Sequence, residues 1–166
     1  TPVHLHLGTA DITARVAIRR GASIAPGASA LVQVIADKPL AALSGDRFIL
    51  RDQSAMLIIG GGMVIDPFVT SVRRNARTRA AQLEALEHAD PDTALTALIA
   101  CSPAGVDLTQ FERAFNLTAE RADALARKPD IAIVGKEHRV ALPRATIDGI
   151  KHSAVEALTR FHRESP

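Results

Sequence analysis

The side chains with chemistry to offer are few. His4 and His6 stand one residue apart on the same side of an alternating segment. Such a pair binds a metal only when a third donor joins it, and no third His or Cys sits at metal-site spacing. A solvent-facing or interface-facing pair is the competing reading. Cys101 ends an apolar helical stretch with no basic neighbour in sequence to activate it, which describes a buried, inert thiol rather than a nucleophile. A single cysteine also excludes an internal disulfide and any multi-cysteine zinc site. Gly60, Gly61 and Gly62 are followed by Met63 and Val64, not by the Lys and Ser/Thr that a phosphate-cradling loop places before its helix. Inside an alternating segment, such glycines mark a bulge or the close approach of another backbone. Arg73, Arg74, Arg77 and Arg79 fall within seven positions, with no acid between Asp66 and Glu84. They form either a solvated helix face or a contact for RNA phosphate. Asp11, Asp46, Asp52 and Asp66 lie near turns or strand ends, where capping accounts for them. Nothing in this set requires an active site, and an enzyme reading has only the His4/His6 pair behind it.

The elements that carry these residues change character near residue 70. The 166 residues are 47% hydrophobic and 23% charged, the balance of a folded domain or two. No apolar run approaches the roughly 20 residues needed to span a bilayer, and no signal peptide is visible. These features point to the cytoplasm. The chain opens at Thr1 in a strand-like pattern and reads as a piece of a longer protein. Residues 1–70 carry six Lys/Arg against five Asp/Glu, and residues 71–166 fourteen against thirteen, so neither half is strongly basic.

Before residue 70 the hydrophobic period is two. Val3, Leu5 and Leu7 point one way with His4 and His6 on the other side, and Ile12, Ala14, Val16 and Ile18 alternate with Thr13, Arg15 and Arg19. Further apolar runs cover 31–35, 47–51 and 57–65, separated by Gly8-Thr9, by 21–29 with Pro26-Gly27, and by Ser44-Gly45-Asp46. This is the pattern of a small antiparallel barrel or sandwich. Residues 39–43 are expected to form one helical turn.

After residue 70 the period is helical. Residues 76–88 place Ala80, Leu83, Leu86 and Glu87 at helical spacing. Asp90 caps a second helix whose first turn holds Pro91, and Asp107 with Gln110 makes a capping-box pattern for a third. Thr118 caps a fourth, Pro129 closes it, residues 131–142 form a hairpin, and a long helix runs from Pro143 to about His162. Helix, helix, turn, helix, hairpin is the order of a winged helix-turn-helix domain. In the fourth helix Glu120 and Asp123 offset Arg121 and Arg127, and there is no Asn or Gln to read adenine. A structural or protein-contacting winged helix competes with a DNA-binding regulator whose β half is a sensor. Lys136, His138 and Arg139 in the hairpin are better phosphate candidates than the helix, unless they form only a solvated tip.

The β half has a specific resemblance. The string from His4 through Leu5, His6, Leu7, Gly8, Thr9, Ala10, Asp11, Ile12, Thr13 and Ala14 to Arg15 resembles a strand motif in the third domain of the elongation-factor GTPases that carry aminoacyl-tRNA. Gly45 to Asp52, followed by Ile59 to Pro67, is similar to the closing strands of that domain. The His-x-His spelling, and Arg51-Asp52 with Ser54-Ala55 after Phe48-Ile49-Leu50, resemble the bacterial selenocysteine-specific elongation factors. That family continues from its third β-barrel domain into winged-helix domains, so the resemblance covers the whole chain.

The resemblance implies an α+β fold of two domains: a small antiparallel β-barrel over 1–69, a linker and connecting helix over 70–89, a winged helix over 90–142, and over 143–166 a long helix leading into a second winged helix. It implies a non-catalytic piece, with GTP and Mg²⁺ belonging to the GTPase domain of the longer factor. Its implied partners are selenocysteinyl-tRNA, the ribosome and the factor's own GTPase and second domains. The selenocysteine insertion hairpin of the mRNA is held by later modules. For nucleic acid the candidate contacts are Arg51, Gly60, Gly61, Gly62, Arg73, Arg74, Lys136 and Arg139. Arg51 has the alternative of an ion pair with Asp46, Asp52 or Asp66.

Overall fold

Strict alternation over Pro2–Leu7 buries Val3, Leu5 and Leu7 and leaves His4 and His6 on the opposite side, which defines strand β1. In the computed structural model, which describes residues 2–18, 23–68 and 76–164, β1 turns at Gly8-Thr9 into β2 (Ala10–Ile18). β3 (Val32–Ala36), β4 (Arg47–Arg51) and β5 (Ile58–Met63) complete one antiparallel sheet in the order β3-β2-β1-β4-β5. The register pairs Leu5 with both Ile12 and Leu50, so one face collects the apolar residues. Its core is Val3, Leu5 and Ala14, with Ile12, Val16, Val34, Leu40, Phe48 and Leu50 packed around them. Among the described residues the sheet is open, with β3 and β5 at its edges. Residues 39–43 contain no helical turn. The Asp46 carboxylate instead accepts from the Leu43 N–H at 2.8 Å, closing a tight turn in place of helical bonding.

The chain divides into two compact units, Thr1–Pro67 and Phe68–Pro166. In the second, α1 (Ala76–Leu86) is followed by α2 (Pro91–Ala100), a two-residue strand β6 (Val106–Asp107), α3 (Leu108–Ala114) and α4 (Ala119–Ala126). The hairpin β7 (Ile131–Val134) and β8 (Val140–Pro143) leads into α5 (Arg144–Glu164). The caps are where the sequence puts them: Asp90, Asp107 and Thr118 accept from the N–H groups of Thr93, Gln110 and Arg121. β6 joins the hairpin in a three-stranded sheet of order β6-β8-β7, giving a helix-turn-helix with a wing. Leu95, Leu108 and Leu125, one from each of α2, α3 and α4, are the largest fully buried side chains.

Two details depart from the periodicity reading. α1 is no mere connector: Gln82, Ala85 and Leu86 are buried, and Gln82 donates to the Ser102 hydroxyl at 2.9 Å. Its inward face is thus rotated from the Ala80–Leu83 stripe toward Gln82, because the buried Ser102 supplies a polar partner. And most of α5 is exposed, with Ile150, Val155, Leu158 and Phe161 all about 60% accessible.

Candidate nucleic-acid interface

The polar face of the β sheet is built by register. His4 lies between Thr13 on β2 and Arg51 on β4, and His6 lies between Asp11 and Ile49. Neighbouring strands are about 4.8 Å apart, so Arg51, His4 and Thr13 form one row of side chains across three strands. His4 Nδ1 is 3.2 Å from the Asp11 carboxylate and His6 Nε2 is 3.7 Å from the same oxygen. His4 is thereby within hydrogen-bond distance of Asp11, whereas His6 Nε2 is sealed from solvent without a hydrogen-bond partner. Among the described residues no group of three or more His, Cys, Asp or Glu is placed to hold a metal. An open groove of about 510 Å³ runs beside this row, with His4, Thr13, Arg15, Asp37 and Gln53 in its lining. Sequence reasoning passed over Thr13 and Gln53. The β1–β2 register would have pointed to Thr13; nothing in the local pattern marks Gln53.

Arg51 does not form the ion pair allowed for it. Its Nη1 donates to the Ala55 carbonyl at 3.3 Å, and its Nε is sealed from solvent without a partner. The Asp52 carboxylate accepts from the N–H groups of Met56 and Leu57 at 2.8 and 2.9 Å and from the Ser54 hydroxyl. The Leu57 N–H, then the Ser54 hydroxyl and the Met56 N–H, hold that carboxyl below the usual range.

The glycines of β5 have a packing role. A Cβ on Gly61 would lie 2.7 Å from the Phe48 carbonyl oxygen, and one on Gly62 2.7 Å from the Phe48 ring. Gly60 faces open space. The β4–β5 ladder shifts register at Leu50/Arg51. The space freed at Gly61 and Gly62 is therefore taken by Phe48, and only Gly60 offers an uncrowded backbone.

In the helical unit the cations are largely spoken for. Arg121 on α4 bridges to Asp92 and lies 3.5 Å from Asp90, and Lys128 meets Asp92 at 2.8 Å. Arg127 pairs with Asp123 at 3.7 Å. Arg121 and Lys128 are thus paired with the start of α2 and Arg127 with its own helix, an arrangement that favours a structural role for α4 over reading a DNA groove. Arg139 is held by Glu112 at 3.1 Å. Lys136 is exposed at the hairpin tip, where Gly135 has φ +90° and a Cβ would come 2.1 Å from the His138 carbonyl oxygen. Arg73 and Arg74 lie outside the described residues. Cys101 is half-buried, with its thiol directed to the Leu98 carbonyl at 3.3 Å.

An antiparallel sheet unit followed by a helical unit with a small wing is an α+β arrangement of two units. Residues 1–71 match the family described as selenocysteine-specific elongation factor, beta-barrel domain. Over an alignment of 174 positions spanning the whole chain, it is 28% identical to a selenocysteine-specific elongation factor from Desulfomicrobium baculatum, covering 27% of that protein. It is 31% identical over 100 residues, 57% of the chain, to one from Haemophilus influenzae (strain ATCC 51907 / DSM 11121 / KW20 / Rd), covering 16% of it. The match over residues 1–71 and these two relatives support a fragment of a selenocysteine-specific elongation factor, and the chain spans about a quarter or less of the length of these relatives. Among the described residues no helix is long and apolar enough to cross a membrane.

Proposed function

We propose that the β unit contacts aminoacyl-tRNA, specifically selenocysteinyl-tRNA, through the groove beside the Arg51–His4–Thr13 row. The observation that carries this reading is the convergence of His4, Thr13, Arg15 and Gln53 on one open groove of an elongation-factor barrel domain. Imidazole, hydroxyl, guanidinium and amide groups are donors suited to phosphate and ribose oxygens. Lys136 at the tip of the wing is a second phosphate contact. The helical unit acts as a spacer between the barrel and the modules that hold the selenocysteine insertion hairpin of the mRNA. GTP hydrolysis, with its Mg²⁺, belongs to another domain of the longer factor, which works on the ribosome in the cytoplasm.

The test is equilibrium binding of selenocysteinyl-tRNA to the full-length factor carrying Thr13→Ala or Gln53→Ala. Each variant is expected to weaken binding several-fold. Affinities equal to wild type for both would refute the groove as a tRNA contact. Small-angle scattering of this chain tests the spacer role, which requires one fixed separation of the two units rather than a broad distribution.

A further inference from the structure

We infer that Arg51 and Asp52 form a clamp that sets the β4–β5 loop, and that Arg51 is a positioning residue for the rim of the groove rather than a phosphate ligand. The inference rests on the groove being the RNA-facing surface, and it assigns a role to two residues that do not themselves need to touch RNA.

The loop runs from Asp52 to Leu57 and is tied at both ends of its own backbone. The Asp52 N–H donates to the Leu57 carbonyl and the Ala55 N–H to the Asp52 carbonyl, each at 2.9 Å. Side chains add the rest: Asp52 gathers the Met56 and Leu57 N–H groups and the Ser54 hydroxyl, while Arg51 reaches over to the Ala55 carbonyl. Ala55 has φ +58°, a left-handed conformation that an alanine holds only when its surroundings impose it. The Asp52 carboxylate bonds the residues flanking Ala55, and the Arg51 guanidinium bonds the carbonyl of Ala55 itself. Gln53 sits inside the clamped segment and lines the groove, so its side chain is aimed by bonds made at its neighbours.

The placement of Arg51 argues against direct contact with an anion. Its Nε is closed off from solvent, and one Nη1 donor is engaged with the loop carbonyl. A guanidinium free to take a phosphate in a forked, two-point grip presents such donors outward. Asp52, the next residue, carries the charge that a phosphate would avoid. Two adjacent residues of opposite sign that bond the same loop are better explained by loop geometry than by ligand charge.

The experiment compares Arg51→Gln, Asp52→Asn and Gln53→Ala in the full-length factor, with selenocysteinyl-tRNA as the probe. Hydrogen–deuterium exchange of the segment 52–58 is read without RNA, and tRNA affinity is read across a range of salt. The clamp predicts exchange at least tenfold faster in Arg51→Gln and Asp52→Asn but unchanged in Gln53→Ala. It also predicts that both clamp variants lose affinity by the same factor at every salt, leaving the slope of log K against log[salt] as in wild type. Unchanged exchange in Arg51→Gln, with a slope reduced by about 0.7–0.9, would make Arg51 a phosphate ligand and overturn the proposal. Faster exchange in the clamp variants with wild-type affinity in all three would show that the groove does not face the tRNA, and would overturn the positioning role from that side.

Discussion

The Arg139 guanidinium lies 3.1 Å from the Glu112 carboxylate, joining the start of the second wing strand to α3 across 27 residues of sequence. The pair is partly covered, with side-chain exposures of 31% and 18%. It follows that Arg139 supports the winged helix first. Replacing Arg139 by Ala strands Glu112 and is expected to cost about 1–3 kcal/mol, whereas changing both residues to Leu recovers most of that loss. Urea unfolding of the wild type and the two variants measures it. A stability loss confined to the double variant would contradict the assignment.

Lys136 makes the opposite case. It is exposed at the tip of the hairpin, and Lys136→Ala is expected to leave the melting temperature within about 1 °C, a surface change within roughly ±0.5 kcal/mol. If the wing touches RNA, the same variant lowers the salt slope of binding by about 0.7–0.9. Gly135→Ala, by contrast, forces a Cβ into the His138 carbonyl at a φ of +90° and is expected to destabilise the hairpin.

Acid acts on two carboxyls whose pKa is depressed in the fold. The Thr93 hydroxyl and N–H hold Asp90 below the usual range at the start of α2, as the loop donors hold Asp52. A depressed carboxyl contributes stability that is fully present above its unfolded value, about 3.9, and that is lost as pH falls through the folded value. Both contributions are therefore constant at neutral pH and fade below about pH 4. Following the Met56, Leu57 and Thr93 amides by NMR between pH 6 and 2 reports this. Loss of those signals' dispersion near pH 6 would assign the change to other groups.

The β5 edge is apolar and uncovered: Leu57, Ile58 and Ile59 are 67%, 66% and 54% exposed. An edge strand without charge or proline is a template for further pairing. This chain by itself is expected to self-associate at high concentration, and Ile59→Lys to suppress that. Sedimentation at rising concentration measures it, and a monomer at all concentrations would show that the edge is blocked. Gly61→Val is expected to disrupt the same strand by colliding with the Phe48 carbonyl oxygen.

Much of the architecture was legible because the signals are local. Alternation in Val3, Leu5 and Leu7, the caps at Asp90, Asp107 and Thr118, and the hairpin around Gly135 each depend on a few consecutive residues and backbone chemistry. The chain's own residues also determined the family resemblance, since the strand motif from His4 to Arg15 is contiguous. What tertiary structure decided is how charges are used. Arg51 turns to the Ala55 carbonyl of its own loop, while Arg139 turns to Glu112 and Arg121 to Asp92, and in these last two the partner is set by packing between distant elements. Likewise the glycine run makes room for Phe48, because the β4–β5 register lays that residue over it. A cation in a sequence is only a donor with a long stem. Whether it meets a carboxylate, a loop carbonyl or open solvent depends on distances between residues that the local pattern does not contain.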